Sequence, residues 1–199
     1  RYLVAAGIDT IVERIASLRF TNEQIEALAG LPALADAMTD DFRRYLADFR
    51  FRGELHAVRE GRVMYAGAPF IRVVAPIIEA QLVETLLLST VNHATMIASK
   101  AARIVRAAGE RSVLEFGTRR THPAAALDAA RVAYLVGAVG TSNVAAGLAY
   151  DIPVLGTAAH MWTMTHDTEE EAFANYVATF PNACTLLIDT YDTVRGAAR

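Results

Sequence analysis

From Ser112 onward the chain alternates short apolar runs with segments of helical period, and this rhythm constrains the fold more than any other feature. Val113-Leu114-Glu115-Phe116 reads as a strand, and Thr121-His122-Pro123 opens a helix that runs to Leu135. Ala138-Val139-Gly140 is a second strand, with Thr141-Ser142 capping a helix to about Tyr150. Val154-Leu155, a helix over 169–180 and Leu186-Leu187-Ile188 continue the series. Such alternation predicts α/β architecture, a parallel sheet or barrel with right-handed crossovers.

The first half is organised differently. Residues 1–48 read as mostly helical, with Ile8, Ile11, Val12, Ile15 and Leu18 at helical spacing. Thr21-Asn22-Glu23-Gln24 predicts a capping box, and Gly30-Leu31-Pro32 a stop. A further helix is expected from Asp40 to Phe49. Residues 51–75 switch to period two, as one small antiparallel sheet would require, with His56 and Arg72 facing solvent. Pro76 then starts a long helical stretch to Ala108, expected to break near Thr90 to Asn92. It is apolar nearly all round, so it reads as a buried connector with His93 a core histidine. The expected organisation is a small α+β domain over 1–85, a helical connector over 86–110 and the first βα units of a barrel over 111–199.

Composition sets bounds. Hydrophobic residues make up 53% and charged residues 21% of the 199, which suits a well-buried α/β core. A net charge of −3 argues against general binding to nucleic acid or to a membrane surface. Cys184, the one cysteine, excludes an internal disulfide and sits in an apolar run, as a buried inert thiol would. No signal peptide is apparent and Thr85 to Ser99 falls short of a membrane span, so the cytoplasm is the expected compartment. The chain begins at Arg1 without methionine and ends at Arg199 just past a motif, as an excised region would.

Polar groups gather where strands end, and in parallel α/β folds those ends form the site. Arg119 and Arg120 offer forked cations for carboxylate or phosphate, and Phe116 offers a ring face for a planar ligand. Gly140-Thr141-Ser142-Asn143 leads into a helix N-terminus, which suits an anion. In Gly156-Thr157-Ala158-Ala159-His160 the small residues leave Thr157 and His160 as the polar groups, and His160 is the candidate nucleophile. Asp189 and Asp192 could hold hydroxyls or a metal bound through oxygen, with Asp192 equally suited to capping the next turn. Glu115 could pair with either arginine, Trp162 could shield His160, and His122 and His166 read as solvated. The Glu169-Glu170-Glu171 run reads as an acidic first helical turn. No zinc spacing, P-loop or dinucleotide fingerprint occurs.

These motifs, in this order, resemble those of the nicotinate phosphoribosyltransferases: Glu115-Phe116-Gly117-Thr118-Arg119-Arg120, Gly140-Thr141-Ser142-Asn143-Val144 with Ala146-Gly147, Gly156-Thr157-Ala158-Ala159-His160, and Leu187-Ile188-Asp189-Thr190-Tyr191-Asp192. Phe49-Arg50-Phe51 and Glu79-Ala80-Gln81-Leu82 extend the likeness upstream. The resemblance implies an irregular α/β barrel of the type II phosphoribosyltransferase kind, preceded by a small α+β domain, in a homodimer. It implies synthesis of nicotinate mononucleotide and pyrophosphate from nicotinate and phosphoribosyl pyrophosphate, coupled to ATP hydrolysis through a phosphohistidine, with magnesium. By this likeness His160 carries the phosphoryl group, Phe116 stacks on the pyridine ring, and Arg119 lies at the phosphate end. Thr157 lies near nicotinate, and Ser142 or Asn143 meets the ring substituent. The family's amino-terminal segment and its downstream half have no counterpart here. The alternatives are an enzyme using nicotinamide and a non-catalytic truncated copy acting as an interaction module.

Overall fold

The computed structural model describes residues 2–198. An amino-terminal strand, β1 (Leu3–Val4), leads into helices α1 (Ile8–Ser17), α2 (Asn22–Ala29) and α3 (Asp40–Ala47). The short strands β2 (Glu54–Ala57), β3 (Val63–Met64) and β4 (Ile71–Val74) follow, and then the long helix α4 (Ile77–Ala108). The expected capping box closes α2: Gln24 N donates to Thr21 Oγ1 (3.2 Å) and Thr21 N to Gln24 Oε1 (2.9 Å).

The expected single antiparallel sheet is instead two ribbons. β2 pairs with β4, while β3 pairs with β1, a strand not read from the sequence. Two residues are too few for a period-two signal, and β1 is held largely by tertiary contacts. Val4 N donates to Ser99 Oγ (2.8 Å), and Ala6 exchanges hydrogen bonds with Thr95 Oγ1. Gly7 lets the chain turn into α1 at φ 83°, where an added Cβ would lie 2.7 Å from Ala94 Cβ. His56 and Arg72 face each other across β2 and β4 on the exposed side, as expected, with His56 bonded to Glu54 (2.9 Å).

α4 is continuous over 32 residues, about 48 Å, so the expected break near Thr90 is absent. Pro76 precedes the helix rather than lying in its first turn. Thr90 and Thr95 point inward, where they bond Arg14 and Ala6, and this burial outweighs their weak helix propensity. Nor is α4 buried all round: one stripe through Val83, Leu87, Val91, Ala94 and Ala98 is, while Leu88, Met96 and Ile104 are exposed. His93 is half-buried rather than in the core.

Beyond α4, strand β5 (Leu114–Glu115), helix α5 (Pro123–Leu135), strand β6 (Gly140–Thr141) and helix α6 (Val144–Tyr150) make the α/β portion. β5 and β6 are parallel, with Leu114 opposite Gly140 and Glu115 opposite Thr141. The expected strand at Val154-Leu155 reduces to a parallel bridge from Val154 to Thr141, with Leu155 N on Thr141 O (3.0 Å). Leu186 to Ile188 is not a strand: no described strand pairs with it, so its backbone has no ladder to join. Helices α7 (His160–Met164), α8 (Glu169–Thr179) and α9 (Thr193–Ala198) complete the described chain. α8 begins as expected, with Thr168 capping a first turn of three glutamates. Cys184 is half-buried, not fully enclosed.

The two halves are joined through α4, which packs on α1 and β1 and then on α5. Charges reinforce the joint: Arg14 pairs with Asp128 (2.8 Å), and Arg131 of α5 with Glu60 (2.6 Å). No helix among the described residues is long and apolar enough to cross a membrane.

Candidate active site

Three parallel segments end side by side at Glu115, Thr141 and Val154, so the loops that follow emerge from one edge. The first loop is a 3₁₀ turn over Gly117–Arg120, entered through Phe116, which is 43% exposed. Arg119 and Arg120 are exposed, and neither has an ion-pair partner among the described residues. The expectation that Glu115 pairs with one of them is not met. Its carboxylate turns inward, accepting from Gly117 N and from Thr141 Oγ1 (2.6 Å).

The second loop separates the two candidates that the sequence leaves open. Asn143 is buried, and its side chain is engaged twice: Oδ1 caps α6 by accepting from Ala146 N (3.0 Å), and Nδ2 donates to Thr118 Oγ1 (3.4 Å). Asn143 is therefore the helix cap expected at Thr141-Ser142. Ser142 is half-buried, its N–H donates to Glu115 O (3.0 Å), and its hydroxyl makes no bond among the described residues. Because Glu115 stands opposite Thr141, Phe116 and Ser142 are the next residues on adjoining strand ends.

The third loop presents Thr157 and His160, both exposed. Thr157 Oγ1 donates to Ala158 O (3.0 Å), and His160 begins α7 with Nδ1 3.3 Å from Thr190 Oγ1. That contact brings in the fourth cluster. Asp189 is exposed, whereas Asp192 caps the last helix by accepting from Arg195 N (3.0 Å). Nε2 of His160 has no partner among the described residues and the side chain is exposed, which leaves that nitrogen available as a nucleophile or phosphoryl acceptor.

Trp162 does not enclose His160. Its Nε1 donates to Ala172 O (3.0 Å) and its ring packs on His166 (4.7 Å between centroids), fastening α7 to α8. His166 is accordingly half-buried, with Nδ1 2.8 Å from Trp162 O, instead of solvated. His122 is exposed but caps α5, accepting from Ala124 N at 3.2 Å. No group of three His, Cys, Asp or Glu able to hold a metal occurs among the described residues. Sequence reasoning missed Thr118, Thr141 and Thr190 as partners of the site. The one available signal was their place inside the strand-end motifs.

Comparison with known proteins agrees with this geometry. Residues 1–92 match the nicotinate phosphoribosyltransferase N-terminal domain model and residues 112–198 the nicotinate phosphoribosyltransferase family model. A nicotinate phosphoribosyltransferase of Mycobacterium tuberculosis is 44% identical over 196 residues, 98% of this chain and 41% of the relative. That of Bacillus subtilis is 42% identical over 197 residues, 98% of this chain and 39% of the relative. The crystal structure of human nicotinic acid phosphoribosyltransferase superposes with a TM-score of 0.86 at 28% identity, over 96% of this chain and 48% of that one. Nicotinate-nucleotide pyrophosphorylase from Pyrococcus furiosus shares the fold, with a TM-score of 0.76 at 22% identity, over 100% of this chain and 43% of that one. The chain thus spans about two fifths of the length of these curated relatives. With both family models matched in order and the motif-bearing loops on one edge of an α/β array, the chain belongs to the nicotinate phosphoribosyltransferase family.

Proposed function

We propose that this chain is the portion of a nicotinate phosphoribosyltransferase that carries the pyridine-binding face and the phosphorylated histidine. The full enzyme joins the ring nitrogen of nicotinate to C1 of phosphoribosyl pyrophosphate, and pyrophosphate leaves with the electron pair of the broken C–O bond. The observation that carries this reading is the Glu115–Thr141 register, from which Phe116 and Ser142 leave side by side. The nearest carboxylate, Glu115, already accepts two hydrogen bonds. A site with a ring face, a free hydroxyl and unpaired arginines favours the carboxylate of nicotinate over the amide of nicotinamide, whose NH2 needs an acceptor.

His160 is the proposed phosphoryl acceptor. Thr190 holds Nδ1, so Nε2 attacks the terminal phosphorus of ATP, ADP departs, and water later cleaves the N–P bond to give phosphate. Gly156, whose added Cβ would meet nothing within 4 Å, stands in open space near that nitrogen's loop. Magnesium suits this chemistry because it takes one or two carboxylates plus substrate phosphates, and exposed Asp189 is the residue here that would hold it. The βα units continue, in this reading, into an irregular type II phosphoribosyltransferase barrel. The enzyme is a cytoplasmic homodimer of NAD biosynthesis.

The test uses the full-length enzyme. It should release pyrophosphate with nicotinate in preference to nicotinamide, and terminally labelled ATP should leave acid-labile, base-stable label on the protein. His160→Asn should abolish the label and substrate-stimulated ATP hydrolysis. The 199-residue chain alone should form no product, since the positioning groups it holds are incomplete. Preference for nicotinamide, or acid-labile label surviving in His160→Asn, would refute the assignment.

A further inference from the structure

Beneath Phe116 and Ser142 the polar groups of Glu115, Thr141 and Asn143 are engaged with one another, and the engagement has a direction. Asn143 N donates to Thr141 Oγ1 (3.0 Å), and the single hydroxyl proton of Thr141 goes on to Glu115 Oε2 (2.6 Å). The other carboxylate oxygen, Oε1, accepts from Gly117 N. The path thus runs from the cap of α6 to the 3₁₀ turn carrying Arg119. Thr141 is completely buried, so its hydroxyl has no water to turn to. An added Cβ at Gly117 would lie 2.7 Å from Glu115 Oε1, so a larger residue there would push on the braced carboxylate.

We propose that Glu115 and Thr141 form a brace that fixes the Phe116 ring relative to the Ser142 hydroxyl, making both of them positioning residues for the pyridine substrate. β5 and β6 are two residues each, and Val139 N on Val113 O and Ser142 N on Glu115 O flank the pair. So short a ladder fixes the strand ends with few backbone bonds, and a misplacement of about 1 Å at a reacting group costs on the order of a hundredfold in rate. A charge-assisted side-chain bond across 26 residues of sequence reinforces the backbone bonds at these two ends. The brace uses no atom of the substrate, so its contribution is to hold two contact residues at a set spacing. This rests on the function proposed above.

Three variants of the full-length enzyme test it. Thr141→Val keeps the shape and removes the hydroxyl, Thr141→Ser keeps the hydroxyl, and Glu115→Gln keeps the size and removes the charge. Thr141→Val and Glu115→Gln should each raise KM for nicotinate about tenfold or more, with KM for phosphoribosyl pyrophosphate changed by less than about twofold. Thr141→Ser should recover to within about twofold of wild type, and the double variant should be no worse than the more impaired single one. Equal rises in both KM values, no rise, or failure of Thr141→Ser to rescue would overturn the brace. Amide exchange reads it independently of turnover: Gly117 should exchange faster in Glu115→Gln than in wild type, and unchanged exchange would overturn it even if the variants do not fold well enough for kinetics. Wild-type enzyme inactive on nicotinate would overturn the function proposed above, while faster exchange at Gly117 would still uphold the brace.

Discussion

Glu60 ties the two halves together through two hydrogen bonds of one carboxylate. Its Oε1 accepts from Ile8 N, the first amide of α1 (2.7 Å), and its Oε2 from Arg131 Nη2 of α5 (2.6 Å). The carboxylate side chain is 6% exposed and the guanidinium side chain 17%. Burial works against the Arg131 charge, but Glu60 and, more weakly, Asp9 outweigh it, so the guanidinium pKa ends above its usual value. The pair is nevertheless incomplete, because Arg131 Nη1 is buried with no hydrogen-bond partner among the described residues. Glu60→Ala removes the acceptor at the start of α1, worth about 1 kcal/mol. It also leaves a half-buried cation facing Asp9, 3.3 Å away on a side chain that is 73% exposed, and the Tyr150 ring, whose centroid lies 5.9 Å away. Removing one partner of a buried pair costs about 3–5 kcal/mol, and the remaining Asp9 contact places this case at the lower end. The expected loss is on the order of 3–4 kcal/mol. With a urea m-value of about 2 kcal/mol/M, the unfolding midpoint should fall by roughly 1.5–2 M. Circular dichroism in urea measures it. In the Glu60→Ala background, Arg131→Met should recover at least about 1.5 kcal/mol, because the uncompensated charge is gone. A loss below about 0.5 kcal/mol, or no recovery in the double variant, would refute the reasoning.

Gly7→Ala should destabilise by about 2–4 kcal/mol, since it combines a left-handed backbone with overpacking against Ala94; an unchanged melting temperature would contradict this. Arg119→Lys in the full-length enzyme keeps the charge but loses the fork, so KM for nicotinate or for phosphoribosyl pyrophosphate should rise about tenfold or more. Unchanged values for both would remove Arg119 from the anion grip.

Much of the local structure was legible in the order of residues because its causes lie within a few residues of one another. The Thr21–Gln24 capping box, the acidic first turn of α8 behind Thr168 and the proline start of α5 each need only neighbours along the chain. The same holds for the strand-end motifs, which place Phe116, Arg119, Ser142 and His160 after successive apolar runs. Their convergence on one edge follows from parallel pairing, which the βα rhythm implies.

What the tertiary structure alone decided were partnerships between residues far apart. Glu115 sits beside two arginines in sequence yet bonds Thr141, because the register of β5 on β6 brings that hydroxyl closer than either guanidinium. Asn143 rather than Ser142 became the cap of α6, because the helix starts at Val144, and Thr118 across the site takes up the rest of its amide. α4 passed Thr90 without breaking because Arg14 binds that hydroxyl across 76 residues of sequence. Leu186 to Ile188 had the composition of a strand and found no ladder to join among the described strands. Period, caps and turns follow from forces that act over one or two helical turns. A strand, an ion pair or a buried hydroxyl needs a partner, and only the folded chain determines which residue that is.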